Sequence, residues 1–135
     1  LSIRRQRQMC IRDSWIILYL ILCVAVGAAG DAWNHIGMKT IGHAGEALEV
    51  GLLISGAFVF NLRRRDWLPF VAVYICFRIV GFDYVHNLVT GQPIFHMDTV
   101  SIWGSFLSKF PAHGVTFMRA VALFVGIGIS INELK

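Results

Sequence analysis

Four long runs of apolar residues constrain this chain more than any other feature of its sequence. They cover residues 15–29, 47–62, 67–85 and 116–131, and each approaches the roughly 17–25 residues that a membrane-spanning helix needs once its polar ends are included. The runs do not alternate polar with apolar residues, and an open sheet edge cannot be accommodated in lipid. Charged residues make up only 15% of the chain, against about a quarter in soluble domains.

This pattern predicts an all-α integral membrane protein. We expect residues 15–135 to form a single four-helix transmembrane bundle, with helices at about residues 15–33, 42–62, 67–87 and 115–132. A fifth, shorter helix is predicted in the loop before the last span. There, Trp103, Phe106, Leu107 and Phe110 follow i, i+3, i+4, i+7 spacing. This segment, about residues 99–110, is interpreted either as an amphipathic helix in the membrane interface or as a packing element over the mouth of the bundle.

The first residues of the chain contain a segment that resembles translated laboratory DNA. Residues 4–14 read RRQRQMCIRDS, and all eleven match the in-frame translation of a transposase-type sequencing adapter. The alternative is a native basic leader, because basic residues ahead of an apolar run are typical of signal sequences. We predict an adapter artefact over residues 1–14, joined near Ser14 or Trp15 to a native chain whose own start is missing.

The adapter changes the meaning of the charge and cysteine counts. Without residues 4–14, eight Lys and Arg remain against seven Asp and Glu, a net charge of +1 instead of +4. The basic balance is then no evidence for a nucleic-acid partner or for binding to anionic lipid. Cys23 and Cys76 lie inside apolar runs, where cysteine is most often a small packing residue, and their number and spacing give no disulfide framework.

Orientation depends on the short loop between the second and third apolar runs, which carries Arg63, Arg64 and Arg65. The positive-inside rule places this loop in the cytoplasm, so both chain termini are expected there too. A cleaved signal peptide in place of the first helix would leave this orientation unchanged, although a retained helix is favoured. Loop charge, the lack of a eukaryotic targeting pattern and an apparent metagenomic origin together predict a bacterial inner membrane protein.

Titratable side chains collect at the end of the bundle opposite this basic loop. Two i, i+3 pairs are candidate ligands there, His43 with Glu46 on the second helix and Asp83 with His86 on the third. Imidazole and carboxylate groups suit zinc or iron, and facing pairs of this kind resemble the Glu-x-x-His sets of metal sites in helical bundles. The sequence thus predicts a candidate divalent-metal site. Haem ligation by His43 and His86 is a weaker expectation, because it needs both at one depth.

Two charged residues near the middle of their helices are expected to pair. Counting from the basic loop places Glu49 and Arg78 at one level, and an unpaired charge there would cost about 2.5–3.5 kcal/mol on insertion scales. We therefore predict an ion pair between Arg78 and Glu49. Arg119, on the fourth helix, is expected to pair with Glu46 or Asp83.

Three functions remain open from the sequence. The first is a metal-binding or small-ligand-binding membrane protein. The second is a structural or accessory subunit whose polar cluster is only an ion-pair network. The third is a metal-dependent membrane hydrolase, although the sequence carries no H-E-x-x-H motif and no recognisable nucleophile motif. The expected partners are the lipid bilayer and either further copies of the chain or a larger membrane complex.

Overall fold

The computed structural model describes the backbone of residues 2–94, 96 and 109–133, and the side chains of residues 14–94, 96 and 109–132. Within these residues the chain forms four α-helices and no strand: α1 (Ser2–His35), α2 (Lys39–Val59), α3 (Trp67–Thr90) and α4 (Ala112–Glu133). These helices coincide with the four apolar runs. The predicted interfacial helix lies almost entirely outside the described residues.

The helices end where the sequence supplies residues suited to turns. Gly37 (φ 90°) follows α1, and Gly91 (φ 71°) caps α3 in the left-handed conformation that glycine adopts without strain. Between α2 and α3, Asn61 also has a positive φ of 49°, which asparagine tolerates better than most residues. Asp66 then closes a short 3₁₀ turn by accepting a hydrogen bond of 3.0 Å from the backbone N–H of Arg63.

The first helix continues without a break through the adapter-like residues to Ser2. Arginine, glutamine and methionine are good helix formers, and a helix nucleated in the following apolar run propagates easily into them. Helix formation there is therefore expected for either origin of residues 4–14.

Three of the helical segments are long and apolar enough to cross a membrane: Ser14–His35, Arg64–Thr90 and Ala112–Asn132. The sequence predicts four spans, and α2 is the exception among the described helices. It has the length, at 21 residues, but its first half contains His43, Glu46 and Glu49, which lower its apolar character. The all-helical prediction is confirmed, whereas α2 cannot be assigned as a span from apolarity alone.

Consecutive helices run antiparallel. Tyr19 of α1 contacts Ser55 of α2, and Asn34, later in α1, contacts Glu46, earlier in α2. The same crossed order holds for α2 with α3 and for α3 with α4. Helices α1 and α3 pack together at the centre, α2 packs mainly on α1, and α4 packs mainly on α3.

The apolar core lies between α1 and α3. It is formed by residues that are at most 5% exposed: Ile16, Leu20, Val24, Phe70, Val73 and Phe77. Large apolar side chains also cover the outside of the helices, and Phe58, Leu68 and Phe124 are each at least 74% exposed. Helices that are apolar on their outer faces as well are typical of membrane spans, which agrees with the class predicted from the sequence.

Candidate functional site: the polar groups of the bundle

A close crossing of α1 and α2 forms one end of the bundle. A Cβ atom on Gly45 would come within 2.8 Å of the Gly30 Cα, and one on Gly30 within 3.0 Å of the Gly42 carbonyl oxygen. Glycine is therefore required at these positions for the two backbones to approach. Small residues at such crossings are the usual means of helix packing in membranes.

The same crossing positions the Asn34 side chain. A Cβ on Gly42 would lie 2.1 Å from the Asn34 Oδ1 atom, so the absence of a side chain at Gly42 leaves room for the amide. The Asn34 Nδ2 atom donates a hydrogen bond of 2.6 Å to Glu46 Oε1. On its other oxygen, Glu46 contacts His43 Nδ1 at 3.2 Å. The His43 side chain is 69% exposed and that of Glu46 is 43% exposed, so this group lies at the surface.

A second polar group lies at the midpoints of α2 and α3. Glu49 accepts hydrogen bonds from the Arg78 guanidinium and from the Tyr74 hydroxyl. Arg78 also donates a hydrogen bond of 2.7 Å to the Tyr74 oxygen, and its guanidinium carbon lies 4.4 Å from the centroid of the Phe82 ring. The Glu49 side chain is only 9% exposed. This is the ion pair that depth counting predicts, with two aromatic residues added to it.

Gly27 allows this buried carboxylate to approach α1. A Cβ on Gly27 would lie within 2.2 Å of the carboxyl carbon and both carboxyl oxygens of Glu49. Glu49 is therefore enclosed by α1 on one side and by the α3 donors Arg78 and Tyr74 on the other. All three helices must be assembled for the carboxylate to be covered.

The third polar group joins α3 and α4. Arg119 donates a hydrogen bond to Asp83, and the two side chains are 11% and 17% exposed. The guanidinium carbon also lies 5.1 Å from the centroid of the Tyr84 ring. Of the two partners that the sequence allows for Arg119, the structure therefore places Asp83 in contact with it. The Arg119 Nε atom has no hydrogen-bond partner within the described part of the chain.

His86 is buried, at 5% exposure, but its neighbours differ from those predicted. Its ring meets the His35 ring of α1 edge to face, with 5.6 Å between the centroids, and stacks on Phe82 at 6.2 Å. His35 takes this position because α1 packs against both α2 and α3. No described contact joins His86 to His43, so the expected haem-ligating pair is not formed.

The four predicted metal ligands therefore do not form one site. His43 and Glu46 form one group, Asp83 is paired with Arg119, and His86 packs among aromatic rings. Within the described residues, no set of three or more His, Cys, Asp or Glu side chains is arranged to hold a metal ion. The sequence prediction of a four-ligand metal site is not supported by this geometry.

Comparison with protein-family models, curated proteins and solved structures finds no match for the chain. Any functional assignment must therefore come from the polar groups themselves.

Several residues that shape these groups were not predicted from the sequence. The G-x-x-G spacing of Gly27 with Gly30, repeated by Gly42 with Gly45, is a signal for a close helix crossing that could have been found. Tyr74 lies four residues before Arg78, on the same helical face, and was also predictable as a partner of Glu49. The position of Asn34 gives no comparable signal, because a polar residue near the end of a span is usually read as interfacial.

Proposed function

We propose that the chain is a small polytopic membrane protein acting as a structural or accessory subunit, with its buried charges bracing the bundle. The observation that carries this proposal is that, within the described residues, the α2–α3 and α3–α4 contacts each contain a matched pair of opposite charges. Glu49 has Arg78 and Asp83 has Arg119. Structural ion pairs of this kind are the usual way to place charges inside a membrane protein.

The two pairs divide the bracing between them. The first joins α2 to α3, and the second joins α3 to α4. Since α2 packs mainly on α1 and α4 mainly on α3, the first pair adds a link between α2 and α3, and the second reinforces the packing of α4 on α3. Buried polar contacts also fix which helices are adjacent, a role that apolar side chains perform less selectively.

Alternative functions receive less support from the same contacts. A hydrolase that uses a metal-activated water needs about three protein ligands and an open coordination position. The described residues present no such set, and the carboxylates of Glu46, Glu49 and Asp83 are engaged by Asn34, Arg78 and Arg119, respectively. We therefore do not propose an enzymatic activity.

We further propose that the basic turn faces the cytoplasm of a bacterial inner membrane. Arg63, Arg64 and Arg65 lie together in the short α2–α3 connection, where the 3₁₀ turn that Arg64 begins leads into α3. The histidine-rich helix ends would then face the opposite side. Single-cysteine chains test this orientation, with Cys10, Cys23 and Cys76 replaced by alanine. An impermeant maleimide applied to intact spheroplasts should label Gln92→Cys and spare Arg64→Cys.

The structural role is tested by measuring bound metal and stability together. The detergent-purified chain should contain no stoichiometric zinc, iron or copper by elemental analysis, and His43→Ala should leave its unfolding midpoint nearly unchanged. His86→Ala should lower the midpoint, because His86 is buried. One metal ion per chain that is lost in His86→Ala, with stability intact, would contradict the proposal.

A further inference from the structure

An apolar groove of about 400 Å³ lies between α1 and α2, at the end of the bundle that carries the arginines. Its lining is almost entirely apolar and comes from six residues: Trp15, Leu18, Tyr19, Leu22, Val59 and Phe60. Four of them, Trp15, Leu18, Leu22 and Val59, are more than half exposed. A groove of this composition offers no partner to a polar ligand and suits a hydrocarbon chain.

The floor of this groove is fixed by contacts between the two helices. The Tyr19 hydroxyl donates a hydrogen bond of 2.7 Å to the Leu52 carbonyl and lies 3.0 Å from Ser55 Oγ. The Tyr19 ring meets the Phe60 ring edge to face, with 5.3 Å between centroids. The Tyr19 hydroxyl is thus satisfied by α2. The groove is therefore preformed, which lowers the entropic cost of binding a chain.

Three exposed arginines follow one wall of the groove closely along the chain. The chain runs from Phe60 to Arg63 in three residues, and Arg63, Arg64 and Arg65 are all exposed. Arg65 is within 3.4 Å of Asp66, whereas Arg63 and Arg64 form no ion pair with any described carboxylate. Two guanidinium groups are therefore available to an anion at the level of a lipid headgroup.

A second groove provides the contrast. It measures about 290 Å³, lies between α3 and α4, and is lined by apolar residues that include Ile79, Val121 and Val125. No basic side chain lines it, and it opens near the middle of both helices. Ordinary acyl chains can fill such a surface, but nothing beside it selects a headgroup.

We infer that the α1–α2 groove binds an acyl chain of an anionic phospholipid whose phosphate is held by Arg63 and Arg64. Guanidinium groups bind phosphate through paired N–H donors, and basic pockets beside membrane helices are typical sites for anionic headgroups. This inference depends on the proposed membrane location but not on which side of the membrane the arginines face.

Trp15 provides a local probe, because it lines the groove. In a full-length chain with Trp33, Trp67 and Trp103 replaced by phenylalanine, bromines on a lipid acyl chain in the groove should quench Trp15 fluorescence. Replacing the four arginines of residues 4–12 with glutamine removes the charge of the adapter-like segment. The chain is reconstituted into vesicles in which brominated phosphatidylglycerol or brominated phosphatidylcholine is the minor component.

Brominated phosphatidylglycerol should quench Trp15 at lower mole fraction than brominated phosphatidylcholine. The preference should fall about fivefold for each arginine removed in Arg63→Gln and Arg64→Gln, and it should fall with added salt. Lys39→Gln, which removes an exposed charge at the other end of α2, is the matched control and should leave the preference intact. Val59→Phe should reduce quenching by filling the groove, whereas Val125→Phe, in the second groove, should not.

Equal quenching by the two lipids would show ordinary boundary lipid and overturn the inference while leaving the membrane proposal intact. A preference that survives in the double arginine variant would overturn it as well. Displacement of brominated phosphatidylglycerol by inorganic phosphate alone would identify a simple anion site instead of a lipid site. Absence of quenching by either lipid would contradict both this inference and the proposed membrane insertion.

Discussion

Replacing Arg78 with methionine should destabilise the chain more than any exposed substitution. The change keeps an unbranched side chain but leaves the Glu49 carboxylate, which is 9% exposed, with Tyr74 as its remaining donor. Removing one partner of a buried ion pair typically costs about 3–5 kcal/mol of unfolding free energy. Because the Arg78 side chain is 37% exposed, water reaches part of this pair, and we expect a loss near the lower end, about 3 kcal/mol.

The double variant Arg78→Met with Glu49→Leu distinguishes the cost of an unpaired Glu49 carboxylate from the net contribution of the ion pair to the unfolding free energy. With both charges gone, no uncompensated carboxylate remains. Replacing a buried ion pair by an apolar pair of similar volume often leaves the unfolding free energy unchanged or raises it. The Tyr74 hydroxyl then lacks its acceptor, which lowers the unfolding free energy by about 1–3 kcal/mol. We therefore expect the double variant to be more stable than Arg78→Met alone, with a coupling free energy of about 2 kcal/mol between the two sites.

These free energies can be measured by unfolding the purified chain in mixed micelles of rising SDS fraction, followed by circular dichroism. Glu46→Gln is the control, because the Glu46 side chain is 43% exposed and such pairs contribute about 0–1 kcal/mol. The reasoning is refuted if Arg78→Met loses less than the control, or if the double variant is as unstable as the single one.

Four further substitutions test other parts of the fold in the same unfolding assay. Gly45→Ala should lower the unfolding free energy by about 1–3 kcal/mol, because its Cβ would meet the α1 backbone at 2.8 Å. Gly51→Ala, in open space, should instead stabilise the chain by up to about 1 kcal/mol. Equal effects of the two substitutions would contradict the close crossing of α1 and α2. Asn87→Ala should cost about 1–3 kcal/mol and speed amide exchange after α3, because the buried amide donates to two loop carbonyls; unchanged exchange would argue against this anchor. Tyr19→Phe should cost about 1 kcal/mol by removing its bond to α2, and no loss would argue against that contact.

The helices were predictable from the sequence to within a few residues at most ends, since each contains an apolar run and the first three are followed by turn residues. The pairing of Glu49 with Arg78 was also predictable, because both positions are fixed by counting along helices from one short turn. The depth of a residue in the bundle depends on its position along the helix axis, which follows from the helical rise alone. The 3₁₀ turn and the positive φ of Asn61 fix the starting point of that count.

Helical spacing does not determine which neighbouring helix a face meets, so it could not place the four predicted metal ligands relative to one another. His43 and Glu46 do share a face of α2, and the 3.2 Å contact between them agrees with that spacing. The rotation of α2 about its axis is set by the glycine crossing with α1, which the spacing of titratable residues does not report. That rotation directs Glu46 towards Asn34, while α1 supplies His35 as the neighbour of His86.

The ion pair at the helix midpoints also bears on why α2 belongs with the other three helices. Helix α2 falls short of the apolarity of a span largely because of its polar first half, and Glu49 is the charge at its centre. A central charge adds about 2.5–3.5 kcal/mol to insertion of an isolated helix. Arg78, at the centre of α3, carries a similar penalty, and the short connection between the helices lets the two charges enter together. In the proposed membrane protein, the opposite charges of the two helices therefore offset each other's insertion penalty, and we expect α2 and α3 to insert together. In Arg78→Met the insertion penalty of Glu49 is no longer offset, so we expect α2 to span the membrane less completely. A cysteine at the start of α2, introduced as Lys39→Cys, should then react more readily with reagents applied on the arginine side.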